Sequence, residues 1–357
     1  MKILPLAQRL GLVLTIHLFF APGLWARSQS QESLFRELSL AQAAPAQKAL
    51  AVPAGKAQAA APAAGDGPPV AVVLVPAYHR THHRSLKTVI DGISLKSRSG
   101  TSRLGSLILT ATKPVNQYFS FGWIYEYTFG EYKGGLLTPD IAALDGRSDI
   151  DLSSHMTGLF GDVFLGAAGH FNVSLFIAWD SFSGQETMIS PAEVETRNLN
   201  RQDTRLGSLT IWWDKGFALS DSWELSPYFG WRTIRACVRG QNDWAAQEGT
   251  TTTQNAWSHL VSGGATLKYE GPFSFKIWGG YNRRTQKGNV PGFSSRAIAP
   301  GIANLGWMNN WDQEVWAYGL GVGRSVGEGL SLNLSYDGFS GQNALSQAVN
   351  LAVVWIF

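Results

Sequence analysis

The sequence predicts an all-β chain: a closed antiparallel transmembrane β-barrel of about 12 strands, behind a signal peptide and an Ala/Pro-rich linker. Three observations carry this. Apolar and polar residues alternate strictly through several segments, which marks strands whose two faces meet different surroundings. Bulky aromatics recur eight positions apart on the apolar face of four of them: Phe119 and Tyr127, Phe171 and Trp179, Trp223 and Trp231, Phe273 and Tyr281. Short turns then alternate with long polar loops. Composition agrees, because charged residues make up only 15% of the 357, with 39 Gly and 14 Trp. That mixture excludes a disordered chain and a coiled coil.

The elements follow in chain order. Lys2 and Arg9 precede an apolar run from Leu10 to Phe20, then Pro22 and Gly23, so residues 1–26 read as a secretory signal cleaved after Ala26. No cysteine follows the run, so the signal is not of the lipoprotein kind. Residues 27–81 are expected to be a periplasmic low-complexity segment, extended where Ala and Pro dominate. Leu34, Phe35, Leu38 and Leu40 form a patch too short for a stable helix. The run VAVVLVP (70–76) and His79, His82 and His83 read as a connector, because no carboxylate or Cys completes a metal-ligand set there. Cys237 is the only cysteine, which excludes an intrachain disulfide and a Cys-based zinc site. No metal and no cofactor is expected. The net charge of +3, without a dense basic stretch, gives no nucleic-acid footprint.

The barrel is expected over 82–357, with strands near 87–96, 104–112, 117–129, 151–166, 171–181, 205–214, 223–235, 258–269, 273–283, 314–325, 329–338 and 345–357. A β-sandwich would also give two-faced strands. Eight residues of tilted strand, however, rise on the order of 20 Å, the separation of two aromatic girdles at membrane interfaces. Short turns are expected near 113–116, 167–170, 215–222, 270–272 and 326–328, and long loops near 130–150, 182–204, 236–257 and 284–312. A sandwich has no reason for that alternation. Phe171, Trp213, Trp223, Tyr269, Phe273 and Phe357 adjoin short turns or the C-terminus and form the expected periplasmic girdle, with Trp179, Trp231 and Tyr281 at the other interface. Glycines such as Gly263, Gly264, Gly319, Gly321 and Gly323 are expected at lumen-facing or crowded positions.

The final segment, VNLAVVWIF, alternates Val349, Leu351, Val353, Trp355 and Phe357, and resembles the C-terminal strand by which outer-membrane barrels are recognised for assembly. LSPYFGWR (225–232) and LSLNLSYDGFSGQ (330–342) resemble strand motifs of autotransporter β-domains. The resemblance covers about 270 residues and implies a translocator-type barrel in the outer membrane of a Gram-negative bacterium. Outer-membrane lipid and the barrel-assembly machinery are then its partners. It also implies a passenger ahead of the barrel and a helix threading the pore, whereas VAVVLVPAYHRTHHR, β-branched and holding Pro76, is a poor helix.

The function expected is that of a porin-like pore or membrane scaffold with cell-surface loops and no large passenger. Glu126, Asp162, Asp180, Glu224, Arg232, Lys268, Lys276 and Asp337 are the lumen-facing candidates, and their mixed signs argue against a strongly ion-selective channel. A barrel phospholipase or protease would need Ser, His and Asp to converge, and His155 with Asp149, Asp151, Ser153 and Ser154, or His259, are the positions to inspect. No hydrolase motif is present, so an enzyme is not expected. A loop-mediated adhesin is the remaining alternative, through loops 236–257 and 284–312, the latter with Trp307 and Trp311.

Overall fold

The computed structural model describes residues 70–356 except 86, 91–92, 97, 117, 136–137, 141–144, 192–193, 242–250, 289–313, 328 and 343. The signal segment, most of the linker, Trp307, Trp311 and Phe357 lie outside the described residues, as do the side chains of Asp180 and Cys237. Twelve long strands form the wall: β1 (Ala71–His83), β2 (Gly100–Asn116), β3 (Phe119–Gly135), β4 (Asp145–Phe164), β5 (His170–Ile189), β6 (Val194–Asp214), β7 (Trp223–Gln241), β8 (Thr251–Tyr269), β9 (Ser274–Gly288), β10 (Glu314–Gly327), β11 (Leu330–Gly341) and β12 (Ala344–Ile356). Each pairs antiparallel with its sequence neighbours, and β1 pairs with β12 to close the ring. Closure leaves no free edge in the wall, which is what a strand structure needs in hydrocarbon.

One strand differs from expectation. The first barrel strand is Ala71–His83, so the barrel begins ahead of residue 82, and the segment 87–96 is not in the wall. Lys87–Ile90 and Ile93–Lys96 pair as a hairpin, Ile90 opposite Ile93, and Thr138–Pro139 adds a third short strand. The physical reason is local. The sequence between the paired segments is Asp91-Gly92, a dipeptide favoured in hairpin connections. The run from Ala71 alternates small or β-branched inward residues with larger outward ones, as a wall strand requires. Pro76, which lacks an N–H, is tolerated because the pairing to β12 is interrupted at Val75 and Pro76 while the register continues from Leu74 opposite Val353 to Ala77 opposite Asn350.

The two ends of the barrel differ. At one end the connections are short: Asn116 Oδ1 accepts from the Tyr118 and Phe119 amides at 2.8 and 2.9 Å, and a single turn of 3-10 helix spans Gly166–Ala168. Gly329 stands at φ 73°, and a Cβ there would lie 2.5 Å from the Ile356 carbonyl oxygen, so this connection requires glycine. At the other end the strands overshoot. β4 and β5 have 20 residues and β6 has 21, about twice the 9–11 that cross a bilayer. Much of the sequence expected as loop at 130–150, 182–204 and 236–257 is therefore ladder, as is 284–288 of the fourth expected loop, the rest of which lies outside the described residues. Backbone pairing persists beyond the apolar belt, where alternation no longer marks it.

The wall is inside-out relative to a soluble core. Outward side chains include exposed Leu107, Phe121, Trp123, Leu159, Val173, Leu175, Ile177, Phe229, Ile277, Leu320 and Leu351, while Ser106, Thr110, Glu126, Ser154, Asp162, Asn172, Ser174 and Asn350 are buried on the inner face. The inner face also carries large aromatics, most of which the sequence pattern left unassigned. Each lies over a glycine on the adjacent strand: Phe160 on Gly122, Phe176 on Gly158, Trp212 on Gly230, Tyr228 on Gly264 and Trp278 on Gly319. A Cβ at Gly122 would collide with the Phe160 ring. The glycines thus make seats for aromatics, a device that holds register in curved sheets. Gly264, Gly319, Gly321 and Gly323 face the lumen, whereas Gly263 lies on the outer face opposite Phe229.

Candidate functional site in the barrel interior

Inward parity places the described lumen candidates on one continuous surface, but they gather into local networks rather than one centre. Glu126 of β3 is 0% exposed and accepts from Thr128 Oγ1 at 2.7 Å, two positions along the same face. Arg232 of β7, also buried, donates from Nε to Thr210 Oγ1 at 3.0 Å across the β6 ladder. Glu224 and Lys268 are direct cross-strand partners, and Lys268 Nζ donates to Glu224 Oε1 at 2.8 Å. Lys276 stands directly opposite Lys268 on β9. Like charges so placed repel, and Glu224 offsets that on one side. Asp337 of β11 accepts from Trp278 Nε1 at 3.1 Å and from Asn350 Nδ2 at 2.7 Å.

The densest network surrounds Asp162, near the short-turn end. Its carboxylate accepts from Ser120 Oγ (3.1 Å), Asn172 Nδ2 (2.8 Å) and His170 Nε2 (2.9 Å), and His170 Nδ1 donates onward to Asp214 Oδ1 at 2.9 Å. Phe164 stacks on the imidazole at 4.7 Å. Three strands, β4 to β6, are tied together by this one histidine between two carboxylates, and Ser120 joins β3 to them through Asp162. Sequence reasoning named Asp162 but missed His170, Asp214 and Asn350. The available signal was register: once the turn around 166–168 is placed, residue 162 falls opposite 172. Among the described residues no group of three or more His, Cys, Asp or Glu could hold a metal ion.

The described residues expected in the girdles point outward. Phe171 and Trp213 lie 6.5 Å apart, Trp223 and Tyr269 5.0 Å, and Trp213 Nε1 donates to the Ala168 carbonyl in the adjoining turn. Phe273 lies under the Arg324 guanidinium at 5.0 Å. Nearer the other end, Trp231 stacks on His259 at 6.1 Å, Tyr281 meets Trp316 at 5.3 Å, and Trp179 stands opposite His155. His155 is on the outer face, its Nδ1 hydrogen-bonded to Tyr125 OH at 2.8 Å, while Ser154 points inward and donates to the Trp179 carbonyl. Of the residues inspected for hydrolysis, Asp149, Asp151 and Ser153 share the outward face with His155, and Ser154 alone of that stretch points inward.

A closed strand ring with an apolar outside and polar networks inside is the architecture of an outer-membrane β-barrel. Solved structures agree. The barrel is similar to the translocator domain of the autotransporter NalP from Neisseria meningitidis, with a TM-score of 0.56 over 94% of this chain and 100% of that one, at 11% identity. It is also similar to the transport unit of the autotransporter AIDA-I from Escherichia coli, with a TM-score of 0.50 over 84% of this chain and 94% of that one, at 12% identity. The likeness is one of fold. No protein-family model matches the sequence, and no curated protein matches it.

Proposed function

We propose that this chain is an integral outer-membrane barrel of translocator type that serves as a pore or membrane scaffold and not as an enzyme. The observation that carries the reading is the polar character of much of the inner wall. Besides its charged networks, the buried hydroxyls of Thr110, Thr112, Ser174 and Ser208 have no protein partner among the described residues. Buried polar atoms without partners are rare in a dry core and ordinary beside water. Against hydrolysis stands the engagement of His155, whose Nδ1 is taken up by Tyr125 OH at 2.8 Å on the outward face. The segment before β1 enters at the short-turn end, the periplasmic side of this arrangement, and the outward Val349, Leu351 and Val353 of β12 form the strand offered to the assembly machinery.

The test is single-channel recording in a planar bilayer. A pore gives discrete conductance steps, and Glu126→Gln and Arg232→Gln shift the reversal potential in opposite directions. A closed scaffold gives no steps while still inserting. Hydrolysis of phospholipid or peptide by the wild type that is lost in His155→Ala would contradict the reading.

A further inference from the structure

The run YHRTHHR (78–84) is left unused by the pore reading, and the strand divides it. His79 and Thr81 point inward, His79 Nε2 within 3.3 Å of Ser106 Oγ and Thr81 Oγ1 within 2.9 Å of Ser346 Oγ. Tyr78, Arg80 and His82 point outward and are exposed, at the end away from the short turns. Arg80 stands directly opposite Arg103 of β2, itself outward with a side chain 58% exposed. Two guanidinium groups placed as direct cross-strand partners repel, and a bound anion relieves that repulsion. The chain supplies Glu131, which stands directly opposite Arg103 on β3 and forms an ion pair with it, and Asp151 stands next in the same outward row. Among the described residues no carboxylate forms an ion pair with Arg80. Glu131 is 3.7 Å from Arg103 but lies closer to Lys133, at 2.8 Å, and Lys133 also reaches Asp149 at 3.8 Å.

The layer beneath is aromatic. Tyr78 and Phe129, 51% and 52% exposed, lie one outward position nearer the belt on β1 and β3, with Phe129 over Gly105 and stacked on Tyr127 at 5.8 Å. Aromatic rings beneath a guanidinium pair match the order of acyl chain, interface and headgroup in a leaflet. A guanidinium pair fits a phosphate through paired N–H donors. We propose that the outward face of β1 and β2 at the rim away from the short turns binds the phosphate of an anionic lipid headgroup through Arg80 and Arg103. The proposal rests on the membrane-spanning reading of the wall and is independent of whether the lumen conducts.

The test is native mass spectrometry of the folded barrel released from detergent micelles, titrated separately with lipid A, phosphatidylcholine and inorganic phosphate. The wild type is expected to retain lipid A and lose phosphatidylcholine. R80Q/R103Q weakens lipid A binding roughly 25-fold, about fivefold for each arginine, R80K/R103K keeps most of it, and Lys113→Gln, outward at the opposite end, changes nothing. A heat-dependent gel shift retained by every variant shows that the loss is not unfolding. The proposal is overturned if R80Q/R103Q binds lipid A as the wild type does, if phosphatidylcholine binds equally well, or if inorganic phosphate at equal concentration displaces the lipid. Absence of the gel shift in the wild type would instead overturn the membrane reading beneath it.

Discussion

Two neighbouring β segments, Ala71–His83 and Lys87–Lys96, meet opposite fates. The first is hydrogen-bonded on both edges and closes the barrel. The second folds back on itself and joins Thr138–Pro139 in a small sheet, held there by Asp140, whose carboxylate accepts from Lys96 at 3.1 Å and faces Lys87 at 3.7 Å while its amide donates to the Ser94 carbonyl. Both are rich in Val, Ile, Leu and Thr. What separates them is an internal Asp-Gly in one and, in the other, an uninterrupted run long enough to reach across the wall. Strand propensity alone does not decide membership of a barrel. Having two edges that neighbours can pair does.

The comparison can be broken by deletion, the largest effect. Removal of residues 71–83 opens the ring and abolishes the heat-modifiable form on gels. Replacement of 87–96 by a short Gly/Ser linker leaves that form intact. Next, Leu74→Arg, on the lipid face of β1, lowers stability in denaturant titration by about 2–4 kcal/mol if it lies near the bilayer midplane. Gly122→Val removes the seat for Phe160 and costs about 1–3 kcal/mol by overpacking, with partial recovery in the double variant with Phe160→Ala. The smallest effect falls on the hairpin. The hydrogen bond from Lys96, with the charge of Lys87, holds the Asp140 carboxyl below its ordinary range. Its tether is therefore complete above the ordinary carboxylate range and is lost as pH falls through the lowered value. Asp140→Asn at neutral pH makes residues 84–99 more sensitive to limited proteolysis, and acidification of the wild type has the same effect.

The outer face was the more legible. Phe119 to Phe129 and Phe171 to Trp179 show their lipid side because one solvent selects every second residue. The strand number was legible too, although its first member was displaced to 87–96, since nothing in an apolar run before a His-rich stretch says whether it has partners. The inner face was half legible. Glu126, Asp162, Arg232 and Asp337 show themselves as polar residues of inward parity. Trp212 and Trp278 do not, because an aromatic on the inner face depends on a glycine across the ladder, and that glycine is found only once register is known. His170 and Asp214 were hidden for the same reason: each is an ordinary residue beside a turn until the ladder brings it to Asp162.

The central claim is a closed ring of strands with an apolar outside. It is tested most directly by the mobility of the membrane-extracted protein on a denaturing gel before and after boiling. The account predicts a faster, compact band in the unheated sample that moves to the position of the full-length chain on boiling. A single band of unchanged mobility, with the protein recovered in the soluble periplasmic fraction, would contradict it.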